Sequence, residues 1–192
     1  MTEQKVYIIL TDTGSFFTKL IKLYTKKPYN HVSISFDSEL SKVYSFGRKK
    51  IENPFNGGFV KEDVKKGLFK QADCAIYSCP VTEAQMKEMN RYIMKMAAEK
   101  ENYRYNFIGL FGFILNKPIK RKKAFFCSQF VATVLMECNI IDFEKPPSLI
   151  SPNDLRKVSG FQLVYEGKLK AYPNKNEDEK GRVPVQLIPI EM

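Results

Sequence analysis

The sequence predicts an α+β fold in a single domain spanning residues 1–192, and three features carry that expectation. Short segments alternate apolar and polar residues with a period of two, as from His31 to Phe36. Longer segments repeat apolar residues at steps of three and four, as from Phe16 to Tyr24 and beyond Thr82. The strand-like and helix-like segments are interleaved, and a chain of this length can bury roughly two-thirds of the surface its unfolded form exposes.

Lys5 to Leu10 reads as a buried strand, broken by Thr11-Asp12-Thr13-Gly14-Ser15, where glycine and serine end the strand and can cap a helix. In that helix Phe17, Leu20, Ile21 and Tyr24 form one buried stripe, and Pro28 stops further winding. His31 to Phe36 then sets Val32, Ile34 and Phe36 on one face and His31, Ser33 and Ser35 on the other. Asp37-Ser38-Glu39 turns the chain into Lys42 to Gly47, the second strand of a hairpin, which carries Ser45 toward the surroundings of the histidine. Residues 48–72 read as irregular, with Asn53-Pro54-Phe55-Asn56-Gly57-Gly58 as a turn cluster. Asp73 to Cys79 is the next strand, and Pro80 ends it.

Thr82 and Gln85 have capping-box spacing, and Met86, Met89, Ile93, Met96 and Ala97 mark the buried face of a helix reaching about Lys100. Unbranched methionines at this spacing fill core gaps and imply no cofactor. Phe107 to Leu115 is apolar all round and leads into Lys117, Lys120, Arg121, Lys122 and Lys123. Two readings compete for it: a core or cleft segment followed by a solvated basic loop, or an interfacial anchor whose lysines meet anionic head groups. From Cys127, the residues Phe130, Val131, Val134, Leu135 and Cys138 form a helical stripe that ends near Asn139, a residue tolerated in the left-handed cap conformation. Ser151-Pro152-Asn153-Asp154 starts a short helix with an N-cap and a first-position proline. A strand near Gln162 to Tyr165 follows, then a polar loop from Asn174 to Arg182, and the last ten residues dock as an edge strand.

The net charge of +10 favours anionic partners: nucleic acid, anionic lipid or acidic wall polymer. Nucleic acid is disfavoured because no groove-reading or base-stacking motif accompanies the charge. The start of the chain lacks a basic segment followed by an apolar core, and the longest apolar run is far short of the roughly 20 residues of a spanning helix. The expected location is therefore the cytoplasm or the periphery of a membrane. Cys74, Cys79, Cys127 and Cys138 have no zinc-site spacing, so no metal is expected. Cys74 and Cys79 differ by an odd number along a strand and point to opposite faces, which keeps them from pairing with each other. Oligomeric state is not legible in these patterns.

Chemistry concentrates at two places. Cys127 stands where a helix begins, and a helix N-terminus carries partial positive charge and free N–H groups that favour a thiolate. The only histidine in the chain, His31, is the one candidate base for it.

Four segments together resemble a known family: Thr11 to Ser15 before a helix, Pro28-Tyr29-Asn30-His31-Val32 on a strand, Phe126-Cys127-Ser128-Gln129-Phe130-Val131 on a helix, and Ser151-Pro152-Asn153-Asp154-Leu155. They are similar to the permuted branch of the NlpC-type papain-like superfamily, the YiiX, YebB and YycO group, over most of residues 5–160. In that branch the histidine precedes the cysteine, as here. The resemblance implies a papain-like fold, with an antiparallel sheet packed against helices and the catalytic cysteine at a helix N-terminus. It implies acyl transfer in which His31 takes the proton of Cys127, the thiolate attacks an amide, ester or thioester carbonyl, and the backbone N–H of Cys127 helps hold the oxyanion. A third polar residue on the strand after the histidine orients the ring in the family. Here Val43-Tyr44-Ser45-Phe46 contains no acid; Ser45 is the best positional match, and Glu62 is the nearest alternative in sequence. Tyr29 lines the substrate pocket or simply packs. Relatives in this branch resemble wall peptidases or lipid acyltransferases, so the implied partner is a peptide, amide or lipid acyl substrate, with an anionic membrane surface as a further candidate. The rival is a catalytically weak or silent lipid- or peptide-binding module of the same fold.

Overall fold

The computed structural model describes residues 4–14, 26–49, 53 and 56–173. The helix expected from Phe16 to Tyr24, the loop from Asn174 to Arg182 and the terminal edge strand lie outside them. In chain order the strands are β1 (Gln4–Asp12), β2 (His31–Ser35), β3 (Val43–Arg48), β4 (Gly57–Glu62), β5 (Asp73–Val81), β6 (Arg104–Tyr105), β7 (Ala124–Phe125) and β8 (Gln162–Lys168). The α-helices are α1 (Glu83–Ala98), α2 (Phe107–Ile114), α3 (Cys127–Glu137) and α4 (Pro152–Arg156). Six strands form one antiparallel sheet in the order β4-β3-β2-β1-β5-β8, while β6 and β7 form a separate parallel bridge. The protein is thus α+β, with an antiparallel sheet packed against helices.

Strand parity sorts the core into two layers. Ile8 and Leu10 of β1, Val32 and Ile34 of β2 and Phe46 of β3 face the helices, meeting Met89, Ile93 and Met96 of α1 and Phe130, Val131, Val134 and Leu135 of α3. Ile9, Val43, Cys74 and Ile76 face the other way, against Leu40, Val64 and Leu169. Central β1 reads as an unbroken apolar run because both of its faces are covered. Each large side chain buried in this way contributes about 1.5–3 kcal/mol. Cys74 and Cys79 fall in opposite layers, and all four cysteines are free.

Helix ends follow the local chemistry. Thr82 and Gln85 cap α1 reciprocally, and Ser151 and Asp154 do the same for α4. Asn139, just beyond α3, takes φ of 51° and closes that helix in the left-handed conformation. Its carbonyl accepts a 2.6 Å hydrogen bond from Gln85 Nε2, which ties the end of α3 to the start of α1. At the other end, Ser128 Oγ donates to the Ile150 carbonyl at 2.7 Å and anchors the first turn of α3.

Three local expectations need correction. The stretch 48–72 contains β4 and a 3₁₀ turn at Gly67–Gln71. The Gly57-Gly58 pair opens β4 rather than extending a turn, because the neighbouring chain presses on it: a Cβ at Gly58 would lie 2.5 Å from the Tyr103 carbonyl oxygen, and one at Gly57 2.7 Å from Tyr105 Cβ. Pro80 lies inside β5 rather than ending it, opposite Lys5 of β1. Pairing with β8 stops at Ser78, so β5 has a free side at Pro80, and a proline facing that side loses no ladder hydrogen bond. Finally, α2 is not a core helix. Its glycines, Gly109 and Gly112, are buried, while Ile108, Phe111 and Ile114 are exposed. Among the described residues no helix is long and apolar enough to cross a membrane.

Candidate active site

Cys127 is the first residue of α3, and the extended Phe126 before it offers no side-chain cap. The first-turn N–H groups therefore receive no capping oxygen from the N-cap residue itself. Parallel pairing of β6 with β7 sets Tyr105 beside Phe125, reinforced by a 2.9 Å bond from Asn106 N to the Phe125 carbonyl. That register brings the Tyr105 hydroxyl close to Cys127, whose thiol and backbone both act on the phenol. Burial, with the Cys127 sulfur next, holds the Tyr105 phenol well above its ordinary value and in its protonated form.

His31 opens β2, and the Cys127 thiol lies near enough to its ring to act on it electrostatically. Its Nε2 lies 2.9 Å from Glu62 Oε1 and 3.3 Å from Ser33 Oγ. The pair is well shielded: the His31 side chain is 12% exposed and that of Glu62 7%.

The position of Glu62 follows from the sheet. Ladder pairing between β2 and β3 is confined to Ile34 with Tyr44 and Ser35 with Val43. Beyond those pairs, the carboxylate of Glu62, from the last residue of β4, takes over. Its Oε2 accepts from Ser33 Oγ of β2 and its Oε1 from Ser45 Oγ of β3. The side chain lies over Gly47, where a Cβ would stand 3.4 Å from Oε1. One carboxylate thus links two strands and still contacts the imidazole.

The electrostatics are those of a buried ion pair. Burial is the largest single influence on His31 and lowers its pKa, but the Glu62 charge, the Glu62 hydrogen bond and the nearby Cys127 together outweigh it and push the ring up to about 10. Burial likewise disfavours the Glu62 carboxylate, yet the imidazolium and the hydroxyls of Ser33 and Ser45 hold it below the usual carboxylate range. The other thiols contrast with this environment. Burial pushes Cys74 up to about 12, and Cys79 and Cys138 up to about 11, with no base beside them.

Of the residues singled out in the sequence, Cys127 and His31 come together. Ser45 does not contact the ring: it donates to Glu62, the carboxylate that does. The physical reason is register, since Glu62 is opposite Val43 and its longer side chain reaches past Ser45. Tyr29 is packed rather than free. Its hydroxyl donates to Glu166 at 2.7 Å, its ring lies 5.7 Å from the Arg156 guanidinium carbon, and burial followed by the Glu166 bond raises its pKa. Tyr105 escaped sequence reading because a two-residue bridge has no periodicity; the one available signal was an aromatic-rich Tyr103-Arg104-Tyr105 segment ahead of Asn106, the N-cap of α2. Among the described residues no cluster of three His, Cys, Asp or Glu side chains forms a metal site. No family model, curated protein or solved structure matches the chain.

Proposed function

We propose that the protein is a cysteine hydrolase or acyltransferase of the papain-like, circularly permuted NlpC type. The observation that carries this reading is the continuous chain of contacts from the Cys127 thiol through the His31 ring to the Glu62 carboxylate. A thiol at a helix N-terminus, a base on it and an acid on the base are the three parts that nucleophilic acyl transfer needs.

In this mechanism His31 holds the proton of Cys127 and the thiolate adds to an amide, ester or thioester carbonyl. The Cys127 backbone N–H and the Tyr105 hydroxyl are the donors available to the developing oxyanion. As the tetrahedral intermediate collapses, the carbon–heteroatom bond breaks and the imidazolium protonates the leaving group. Water, deprotonated by His31, then attacks the thioester and returns Cys127 to the thiol; an acceptor alcohol or amine in place of water gives transfer. Glu62 keeps the ring oriented and stabilises its cationic form, and Ser33 and Ser45 hold Glu62.

The test is acylation of the protein by a p-nitrophenyl ester, read by mass spectrometry of the intact chain and its peptides. The expected result is one acyl group on Cys127, lost in Cys127→Ala and slowed in His31→Ala. Acylation that ignores both substitutions refutes the reading. A catalytically silent lipid- or peptide-binding module is the second reading, favoured by one observation: Cys127 is only 4% exposed. It requires iodoacetamide to alkylate Cys127 at the same rate in the wild type and in His31→Ala at every pH.

A further inference from the structure

We infer that α2 and the basic loop behind it form a docking surface for an anionic lipid bilayer. The inference stands whether or not Cys127 is catalytic, because it rests on a different part of the molecule.

The helix is built inside out. In an ordinary surface helix the large apolar residues face the core. In α2 the inward face is made by Gly109 and Gly112, and the outward face carries Ile108 at 50% exposure, Phe111 at 66% and Ile114 at 40%, followed by Leu115 at 67%. Their spacing of three and four residues makes a single stripe. The glycines are a steric requirement of this orientation: a Cβ on Gly112 would stand 2.5 Å from the Lys117 carbonyl oxygen and 2.7 Å from Ile119. Glycine is the poorest helix former after proline, so local propensity does not explain its use here. Close approach of the loop does.

The helix is also held in place. Asn106 caps it, accepting from Gly109 N at 2.9 Å, and its Nδ2 donates to the Ile119 carbonyl at 3.4 Å. Phe113 packs against Phe126, with ring centroids 6.4 Å apart. The apolar stripe is therefore presented on a preformed element, and little ordering cost remains for binding. A contiguous stripe of large apolar side chains on a soluble surface marks an interaction site.

Charge selects the partner. Between Glu101 and Glu137 the chain has six basic residues and no acid. Lys117, Lys120, Arg121 and Lys122 are exposed and make no ion pair with a described residue, unlike Lys123, which pairs with Glu99 at 2.5 Å and lies over the Tyr103 ring. The loop runs back beside the helix, since Lys117 and Ile119 lie against Gly112. An apolar stripe flanked by cations that pair with no described acid fits the acyl-chain and head-group layers of an anionic membrane, whereas a phosphate backbone would use the cations and leave Phe111 and Leu115 unsatisfied.

The test is co-sedimentation of the full chain with vesicles of phosphatidylcholine, with and without phosphatidylglycerol. The protein contains no tryptophan, so Phe111→Trp adds a single reporter of burial. The expected results are binding to anionic vesicles only, weakened by salt, with a blue shift of the Phe111→Trp emission and quenching by brominated acyl chains. Lys120→Gln/Arg121→Gln/Lys122→Gln should weaken binding by roughly a hundredfold, at a factor of about five per charge. Phe111→Ser/Leu115→Ser should weaken it by at least about tenfold. Both sets change exposed side chains, and a circular-dichroism melt matching the wild type keeps the comparison valid. The inference is overturned by absence of binding to anionic vesicles, or by wild-type binding in the serine pair. It is equally overturned if nucleic acid alone is bound and the serine pair does not matter, or if the stripe proves to mediate dimerisation without any vesicle binding.

Discussion

Glu62→Gln removes one negative charge while keeping the shape of the side chain, and the consequences can be followed through a single imidazole. In the wild type, Glu62 Oε1 is 2.9 Å from His31 Nε2 and both side chains are nearly buried. At an effective dielectric near 20, opposite charges so close attract by on the order of 6 kcal/mol. Together with the Glu62 hydrogen bond and the nearby Cys127, that attraction overcomes the burial that disfavours the imidazolium, and the ring is pushed up to about 10. A neutral amide leaves burial opposed mainly by the nearby Cys127, so the His31 pKa should fall by at least about two pH units, equivalent to roughly 3 kcal/mol. The assay is direct because the chain has one histidine: its ring Cε1–H signal, followed by ¹H–¹³C NMR from pH 5 to pH 11, reports one titration. Alkylation of Cys127 by iodoacetamide at pH 6, read by peptide mass spectrometry, should slow by about tenfold or more as the imidazolium that stabilises the thiolate is lost. Titration of wild-type His31 near 6.5, unchanged in Glu62→Gln, would refute the reasoning.

The same pair sets a pH dependence of stability. His31 is raised above its unfolded value, so its contribution is complete below about pH 6.5, shrinks as the pH rises and is gone above about 10; Glu62 is lowered, so its contribution is lost on acidification below the usual carboxylate range. Thermal melts should therefore show Tm falling between pH 7 and 10, with that fall reduced in Glu62→Gln. Gly58→Ala places a Cβ 2.5 Å from the Tyr103 carbonyl oxygen, and should lower stability by about 1–3 kcal/mol in urea unfolding. Tyr105→Phe removes the hydroxyl at Cys127 and should slow acylation by a p-nitrophenyl ester by about a hundredfold, while iodoacetamide alkylation, which develops no oxyanion, changes far less. Phe130→Ala deletes a fully buried ring that packs against both Phe46 and Phe59, and should cost about 3–5 kcal/mol in the same unfolding experiment.

What the sequence determined by itself is whatever depends on neighbours within a few residues. The alternation of Val32 and Ile34 with Ser33 and Ser35 assigns each to its layer, because strand side chains alternate whatever the strand pairs with. The capping pairs Thr82 with Gln85 and Ser151 with Asp154 close over three residues, and so are legible without a fold. The start of a helix at Cys127 and the left-handed Asn139 beyond its end are local in the same sense. Tertiary structure decided the rest. Glu62 meets His31 across 31 positions because the register of β3 with β4 and the short ladder between β2 and β3 put a carboxylate where Ser45 alone cannot reach the ring. Gly57 and Gly58 looked like a turn until Tyr103 and Tyr105 were packed on them. The apolar run of α2 carries no period that says which side is inside; the crowding of Gly112 by Lys117 and Ile119 turns Phe111 and Leu115 outward. Periodicity encodes which residues share a face, whereas contact between distant faces depends on backbone packing that no local window contains.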